Sequence, residues 1–242
     1  MTGERVERRL AAVLAADVAG YSRLMGRDEE RTLAQLKALR KTLLDPTIAG
    51  HRGRIVKTTG DGMLVEFASA VDAARCAVEV QRGMAGQNAD LAQDIRIEFR
   101  IGIHVGDIII DDNDIFGDGV NIAARLEGIA EPGGVCISDD AQRQIRGKVD
   151  IAFDDMGLQT LKNIAEPMRA WRCRIDANSS SPAMSTKGRD GPASRAPRQT
   201  LDRRAAVPEH VRRSGAGVFR RRHGRGHHHG AVALQVAVRN RP

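Results

Sequence analysis

The chain has 242 residues, enough for one domain of ordinary size and a substantial further segment. Hydrophobic residues make up 41% of it but aromatics only 3%, so a core has to be built from Leu, Ile, Val and Ala. The net charge of +7 does not mark a nucleic-acid binder: residues 177–242 carry 14 Lys/Arg against 3 Asp/Glu, while residues 1–176 carry four more acids than bases.

Residues 10–18 form an apolar run that ends in Asp17-Val18-Ala19-Gly20, the pattern of a buried strand entering a tight turn. The run is too short to span a membrane and lacks signal-peptide architecture, so a cytoplasmic protein is expected. Over residues 28–48, Leu33, Leu36, Leu39, Leu43 and Leu44 recur at helical spacing, with Pro46 disturbing the helix end. Residues 54–58 and 63–67 read as a hairpin around Thr59-Gly60-Asp61-Gly62. An Ala-rich helix follows over 69–84, with Val71, Ala74, Val78 and Met84 expected inward.

Ile95, Ile97, Phe99, Ile101 and Ile103 alternate along one strand face, and Gly106-Asp107 predicts a turn into a second strand at 108–110. A helix over 120–129, a turn at Glu131-Pro132-Gly133-Gly134, a strand at 135–137, a short helix at 139–146 and closing edge elements within 161–173 complete the order. Helices alternating with hairpins predict an α+β fold, an antiparallel-rich sheet with packed helices. Cys76, Cys136 and Cys173 are odd in number, far apart and without metal-ligand spacing, and so read as small buried residues in a reducing compartment.

The folded domain is expected over residues 8–176. From 177 the sequence becomes basic and of low complexity, a tail expected to be disordered. Residues 198–208, back-translated with permissible codons and shifted by one base, give D-K-P-S-I-A-V-L-P. That motivates the hypothesis of a frameshifted end; an intact single frame at the locus, with the same tail in close relatives, refutes it.

Two carboxylates stand where strands break into glycine turns, Asp17 and Asp61. Taken singly, each is an ordinary turn aspartate. Together they suit hard cations such as Mg²⁺ that bind beside phosphates, and the turn after Asp17 could offer backbone N–H groups to a phosphate. Lys57 lies four residues before Asp61, on the same face if the strand is regular. Asn121 and Arg125 are one helical turn apart, and Asp114 lies seven residues before Asn121. Arg offers a planar fork for phosphate and Asn a neutral donor and acceptor.

Three stretches jointly resemble the class III adenylate and guanylate cyclase family. They are Ala15-Ala16-Asp17-Val18-Ala19-Gly20-Tyr21-Ser22, Lys57-Thr58-Thr59-Gly60-Asp61-Gly62, and Asp114 through Asn121-Ile122-Ala123-Ala124-Arg125-Leu126-Glu127. The resemblance runs from about Arg8 to Arg174, with Tyr21 where the family often has Phe. It implies the ferredoxin-like nucleotidyl cyclase fold and a homodimer with two shared sites. By it, Asp17 and Asp61 hold two divalent cations, Mg²⁺ or Mn²⁺, and Lys57 and Asp114 read adenine. Asn121 orients the ribose, Arg125 neutralises charge on the α-phosphate, and Lys162 touches the outer phosphates. The metal pair comes from one protomer, while the base readers, Asn121 and Arg125 come from the other. The implied substrate is ATP and the product cyclic AMP, with no membrane and no specific nucleic acid as partner.

A guanylate cyclase is disfavoured by Lys57 and Asp114, and a diguanylate cyclase by the absence of its Gly-Gly-acidic-acidic-Phe turn. A catalytically silent dimerisation module would be expected to have lost one of Asp17, Asp61, Asn121 or Arg125, and all four stand. The tail has one aromatic, Phe219, and no stacking platform, so any nucleic-acid binding by it would be sequence-blind.

Overall fold

The computed structural model describes residues 7–175, and the basic tail expected from 177 onward lies outside the described residues. Eight strands form one sheet. The elements run β1 (Glu7–Val18), α1 (Tyr21–Arg27), α2 (Glu29–Leu39), a π-turn (Arg40–Leu44), α3 (Asp45–Gly50), β2 (Arg54–Thr59), β3 (Gly62–Phe67) and α4 (Ala70–Asn88). A 3₁₀ turn (Gln93–Ile95), β4 (Phe99–Asp111), β5 (Asp114–Phe116), α5 (Asp118–Ile129), β6 (Val135–Ser138), α6 (Asp139–Ile145), β7 (Phe153–Gln159) and β8 (Met168–Cys173) follow. The order across the sheet is β2-β3-β1-β4-β6-β8-β7, with β5 paired to β4. All pairings are antiparallel except β4 with β6, so the antiparallel-rich α+β expectation holds.

The apolar run of β1 is explained by burial on both faces of the sheet. Ala12, Leu14, Ala16 and Val18 join the main core with Leu36, Leu39 and the Ala-rich face of α4. Ala11, Val13 and Ala15 face the other way, into a smaller cluster with Ile108 and Ala123 beneath α5. Gln81 of α4 donates to the carbonyls of Phe99 (2.8 Å) and Gly134 (2.9 Å), tying that helix to the start of β4. Cys76, Cys136 and Cys173 are free and buried, as their spacing suggested.

Four expectations are corrected. The helix expected over 28–48 is three segments, because Pro46 has no N–H to continue the ladder and its ring would crowd the carbonyl four residues back. The turn of i→i+5 bonding over Arg40–Leu44 absorbs that misfit, and Leu33 faces outward, 39% exposed. Gly106-Asp107 is not a turn. β4 runs straight through it, paired with β1 out to Ile110, and a Cβ at Gly106 would meet His104 Nε2 at 2.7 Å. The reversal comes at Asp112-Asn113, both left-handed (φ 43° and 69°), the dihedral sign of a type I′ hairpin. Ile95 sits in the 3₁₀ turn, and Val71 is half-buried at the edge of the main core. Finally, β7 was not foreseen. It is a half-exposed edge strand carrying Asp154 and Asp155, bent at Gly157 (φ 71°), with Leu158 73% exposed, and so shows no hydrophobic alternation.

At Gly102 of β4, helix α5 lies directly on the sheet: an added Cβ would stand 2.2 Å from both the Ala123 carbonyl oxygen and the Glu127 nitrogen. Backbone on both sides has nowhere to move, so we expect Gly102→Ala to destabilise the protein by on the order of 3 kcal/mol or more. Gly128, in the same helix with open space around it, gives the contrast. Gly128→Ala should raise stability by roughly 0.5–1 kcal/mol through reduced backbone entropy of the unfolded chain. Denaturant melts of the two variants check both signs.

Candidate active site

Register places the polar groups. Lys57 pairs with Leu64, Leu64 with Ala15, and Ala15 with Gly102, so these four residues form one row across one face of the sheet. Asp17, two residues beyond Ala15, points to the same face and stands directly opposite Arg100. β2 carries a register shift between Ile55 and Lys57, so regular alternation along it fails; Lys57 nevertheless emerges on the side of Asp17. Gly60-Asp61 is a two-residue hairpin loop, with Gly60 at φ 56° and Asp61 delivered beside the end of β1.

A cleft of about 280 Å³ opens on this face, lined by Ala15, Asp17, Lys57 and Leu64 of the sheet and by Val120, Ala124 and Glu127 of α5. The helical residues recur at i, i+4 and i+7, one stripe of the helix. Asn121 and Arg125 are on a stripe about 100° further round α5 and do not line this cleft. Arg125 instead donates from Nε to the carbonyl oxygen of Lys162 (3.0 Å), in a loop anchored by buried Leu161. The Lys162 side chain is exposed.

Lys57 Nζ lies 2.8 Å from Asp114 Oδ2 and 5.6 Å from the centre of the Phe116 ring. This contact has a scaffold. Arg54 grips the buried Glu66 carboxylate through Nε (3.0 Å) and Nη2 (2.7 Å), while its Nη1 donates to the Asn113 carbonyl oxygen (2.7 Å). The β4–β5 hairpin is thereby hung against β2, bringing Asp114 to Lys57. The Lys57 ammonium, with help from the Ile115 backbone N–H, holds the Asp114 carboxyl below its ordinary value.

Asp17 and Asp61 lie near enough for the Asp17 carboxyl to influence the ionisation of Asp61. Burial, and then the Asp17 carboxyl, raise Asp61 above the ordinary carboxylate range, with Arg100 acting in the opposite direction. Arg100 Nη2 is 2.8 Å from Asp17 Oδ2, and its Nε is 3.2 Å from Glu127 Oε1. Burial pushes the Glu127 carboxyl up to about 7; the Arg100 charge opposes this, and Asp17 and Asp61 reinforce it. Two carboxyl groups, Asp17 and Glu127, thus contact one guanidinium, whose charge Asp61 also feels. An all-oxygen donor pair with excess negative charge fits a hard divalent cation. Among the described residues no three His, Cys, Asp or Glu side chains are arranged to enclose a metal, so any ion at Asp17 and Asp61 needs oxygens from elsewhere, as phosphates supply.

Arg100, Glu127 and Arg54 were not singled out by the sequence. Arg100 carried no distinguishing signal, because Arg96 and Glu98 fill the same alternate positions along the strand. Glu127 closes the third quoted stretch but looked like one more helical acid.

The model of the "Adenylate and Guanylate cyclase catalytic domain" family matches residues 6–172. Among curated proteins, "Putative adenylate cyclase 3" of Rhizobium meliloti is 52% identical over 171 residues, covering 71% of this chain and 29% of its own length. An adenylate cyclase of Streptomyces coelicolor is 37% identical over 134 residues, covering 55% of this chain and 33% of its own. The chain therefore spans a third or less of these two relatives. A solved adenylate/guanylate cyclase/hydrolase from Silicibacter pomeroyi is 52% identical with a TM-score of 0.65, covering 69% of this chain and 97% of that one. The adenylyl cyclase CyaB of P. aeruginosa shares the fold at 23% identity and a TM-score of 0.62, covering 71% and 96%.

Glu127 generates a pH prediction. Its carboxyl titrates near 7 in the fold against 4.5 in a free chain, so the fold favours the neutral form. That stability is fully present below about 4.5 and is lost as pH rises through about 7. Thermal melts without added metal should therefore superimpose for wild type and Glu127→Gln near pH 4.5. Above pH 7 the Gln variant should melt higher, and parallel profiles would contradict the burial argument.

Proposed function

The chain belongs to the adenylate and guanylate cyclase catalytic-domain family, and from that premise we propose that it converts ATP into 3′,5′-cyclic AMP and pyrophosphate. The observation that carries this reading is the convergence on one sheet face of Lys57, held against Asp114, and of Asp17, beside Asp61.

In this proposal Lys57 donates to adenine N1 and Asp114 accepts from the exocyclic amine. Guanine presents a donor at N1 and an acceptor at position 6, leaving both side chains mismatched. The Lys57–Asp114 contact keeps both groups at the base site before substrate arrives, which lowers the ordering cost of binding. Asp17 and Asp61 would hold two divalent cations, Mg²⁺ or Mn²⁺, which supply positive charge to the triphosphate and favour ionisation of the ribose 3′-hydroxyl. The 3′-oxygen then forms a bond to the α-phosphorus in line with the departing pyrophosphate oxygen. Arg125 neutralises the charge that develops on the α-phosphate, Asn121 orients the ribose, and Lys162 reaches the outer phosphates.

Asn121 and Arg125 lie outside the cleft that Asp17, Lys57 and Glu127 line. That supports a site assembled between two copies of the chain, with the carboxylate pair from one and Asn121 and Arg125 from the other. Among the described residues no helix is long and apolar enough to cross a membrane. The proposal places the enzyme in the cytoplasm, where ATP is available and thiols stay reduced.

The full-length protein, assayed with Mn²⁺, should form cyclic AMP from ATP and prefer ATP to GTP by on the order of a hundredfold or more. Asp17→Ala and Arg125→Ala should each lose about a hundredfold or more in kcat. Mixed in equal amounts, the two dead proteins should recover about a quarter of wild-type activity, because half of randomly formed dimers then carry one intact site of two. No recovery despite exchange of subunits would defeat the shared-site model, and equal use of GTP would defeat the adenine assignment.

A further inference from the structure

We propose that Glu127 is a positioning residue that draws the Arg100 guanidinium partly off Asp17 and so keeps that carboxylate available to a divalent cation. This rests on the reading of Asp17 and Asp61 as the cation-holding pair.

Asp17 and Arg100 are directly opposed on β1 and β4, and their side chains meet at 2.8 Å. The carboxylate that would grip a metal therefore already has a cation, fixed to it by register. An ion arriving at Asp17 competes with that guanidinium, whose two nearest charges are Asp17 and Glu127. The more tightly Arg100 settles on Asp17, the weaker the metal binds.

Glu127 stands at the neighbouring nitrogen of the same guanidinium edge, Oε1 to Nε at 3.2 Å, with its side chain only 13% exposed, so the two carboxylates compete for that edge. Oε1 and Nε are buried, yet neither has a partner in hydrogen-bond geometry. Attraction between them is thus Coulombic and unsaturated, a pull that a small shift of Arg100 away from Asp17 would satisfy. Nor can Glu127 drift. Its own backbone nitrogen is the atom that a Cβ at Gly102 would strike, so α5 is pressed onto β4 at this residue. The helix fixes the carboxylate, the strand fixes Asp17, and the Arg100 side chain is the movable part between them.

Substitutions should act in opposite directions. Removing the Glu127 charge leaves Asp17 as the remaining close anion for Arg100, and removing Arg100 frees Asp17 altogether. Simple through-space attraction makes a different prediction, because loss of a negative charge at Glu127 would weaken cation binding whether or not Arg100 is present.

The test is a Mn²⁺ titration of the full-length protein without nucleotide, at pH 8 where Glu127 is ionised, following the free-ion signal by electron paramagnetic resonance. Wild type should bind, and Asp17→Ala should lose that binding. Glu127→Gln should weaken it by roughly ten- to hundredfold, the usual scale for a group acting behind a metal ligand. Arg100→Gln should tighten it, and the double variant Arg100→Gln/Glu127→Gln should match Arg100→Gln within about twofold. In turnover, Glu127→Gln should raise the Mn²⁺ concentration giving half-maximal rate while kcat at saturating Mn²⁺ is largely restored.

Equal weakening by Glu127→Gln in both backgrounds, or none in the wild-type background, overturns the positioning role. A folding defect in Glu127→Gln would carry into the double variant, whose tight binding is the guard against that explanation. Wild-type binding that survives Asp17→Ala unchanged instead overturns the metal-pair reading itself, a separate failure.

Discussion

Helix α5 rests on strand β4 with no side chain between them at Gly102, and that contact sets where the polar groups around the cleft stand. A spacer the size of a methyl group would lift the helix, carrying Val120, Ala124 and Glu127 off the cleft that they wall. Close-packed backbone transmits displacement rather than absorbing it. The position of the Asn121–Arg125 stripe relative to the sheet therefore depends on the same absence of a Cβ. A residue that contributes no chemistry sets the geometry of those that do.

The sheet face beneath α5 holds two groups of charge with different character. Glu66 is buried but closed off, gripped by Arg54 through two nitrogens and approached by Arg9. That cluster is structural: it ties β1, β2 and β3 together and hangs the β4–β5 hairpin in place. The second group, a strand length away, is open, with Asp17 and Glu127 sharing Arg100 and Asp61 only within reach of its charge. Buried charge without full pairing costs stability and is retained where something else uses it. The contrast between the closed and the open cluster marks the cleft as the functional end of the sheet.

Much of the fold was legible because its elements carry one strong pattern each: the doubly buried run of β1, the Ala-rich stripe of α4, the alternation entering β4. What failed did so for physical reasons. Gly106 looked like a turn but is demanded by the crowding of His104, and the true reversal at Asp112-Asn113 begins two residues past the isoleucine run 108–110. β7 hides because an edge strand needs charge rather than alternation. At the site, the seven candidate residues could be picked out by motif, and their neighbours could not. Arg100 and Glu127 acquire meaning only once a cross-strand register and a helix-on-strand contact bring them to Asp17.

The hairpin that presents Asp61 has no slack. Thr59 already pairs with Gly62, so the whole reversal is Gly60 and Asp61. One inserted residue would turn the carboxyl toward the opposite side of the ribbon or carry it past the end of β1, and one deletion would abolish the loop. Insertions and deletions in a lineage of such chains are consequently barred here and channelled to segments outside the helices and strands, such as the stretch between α6 and β7. Length polymorphism along the gene would then trace the outline of the machinery by avoiding it.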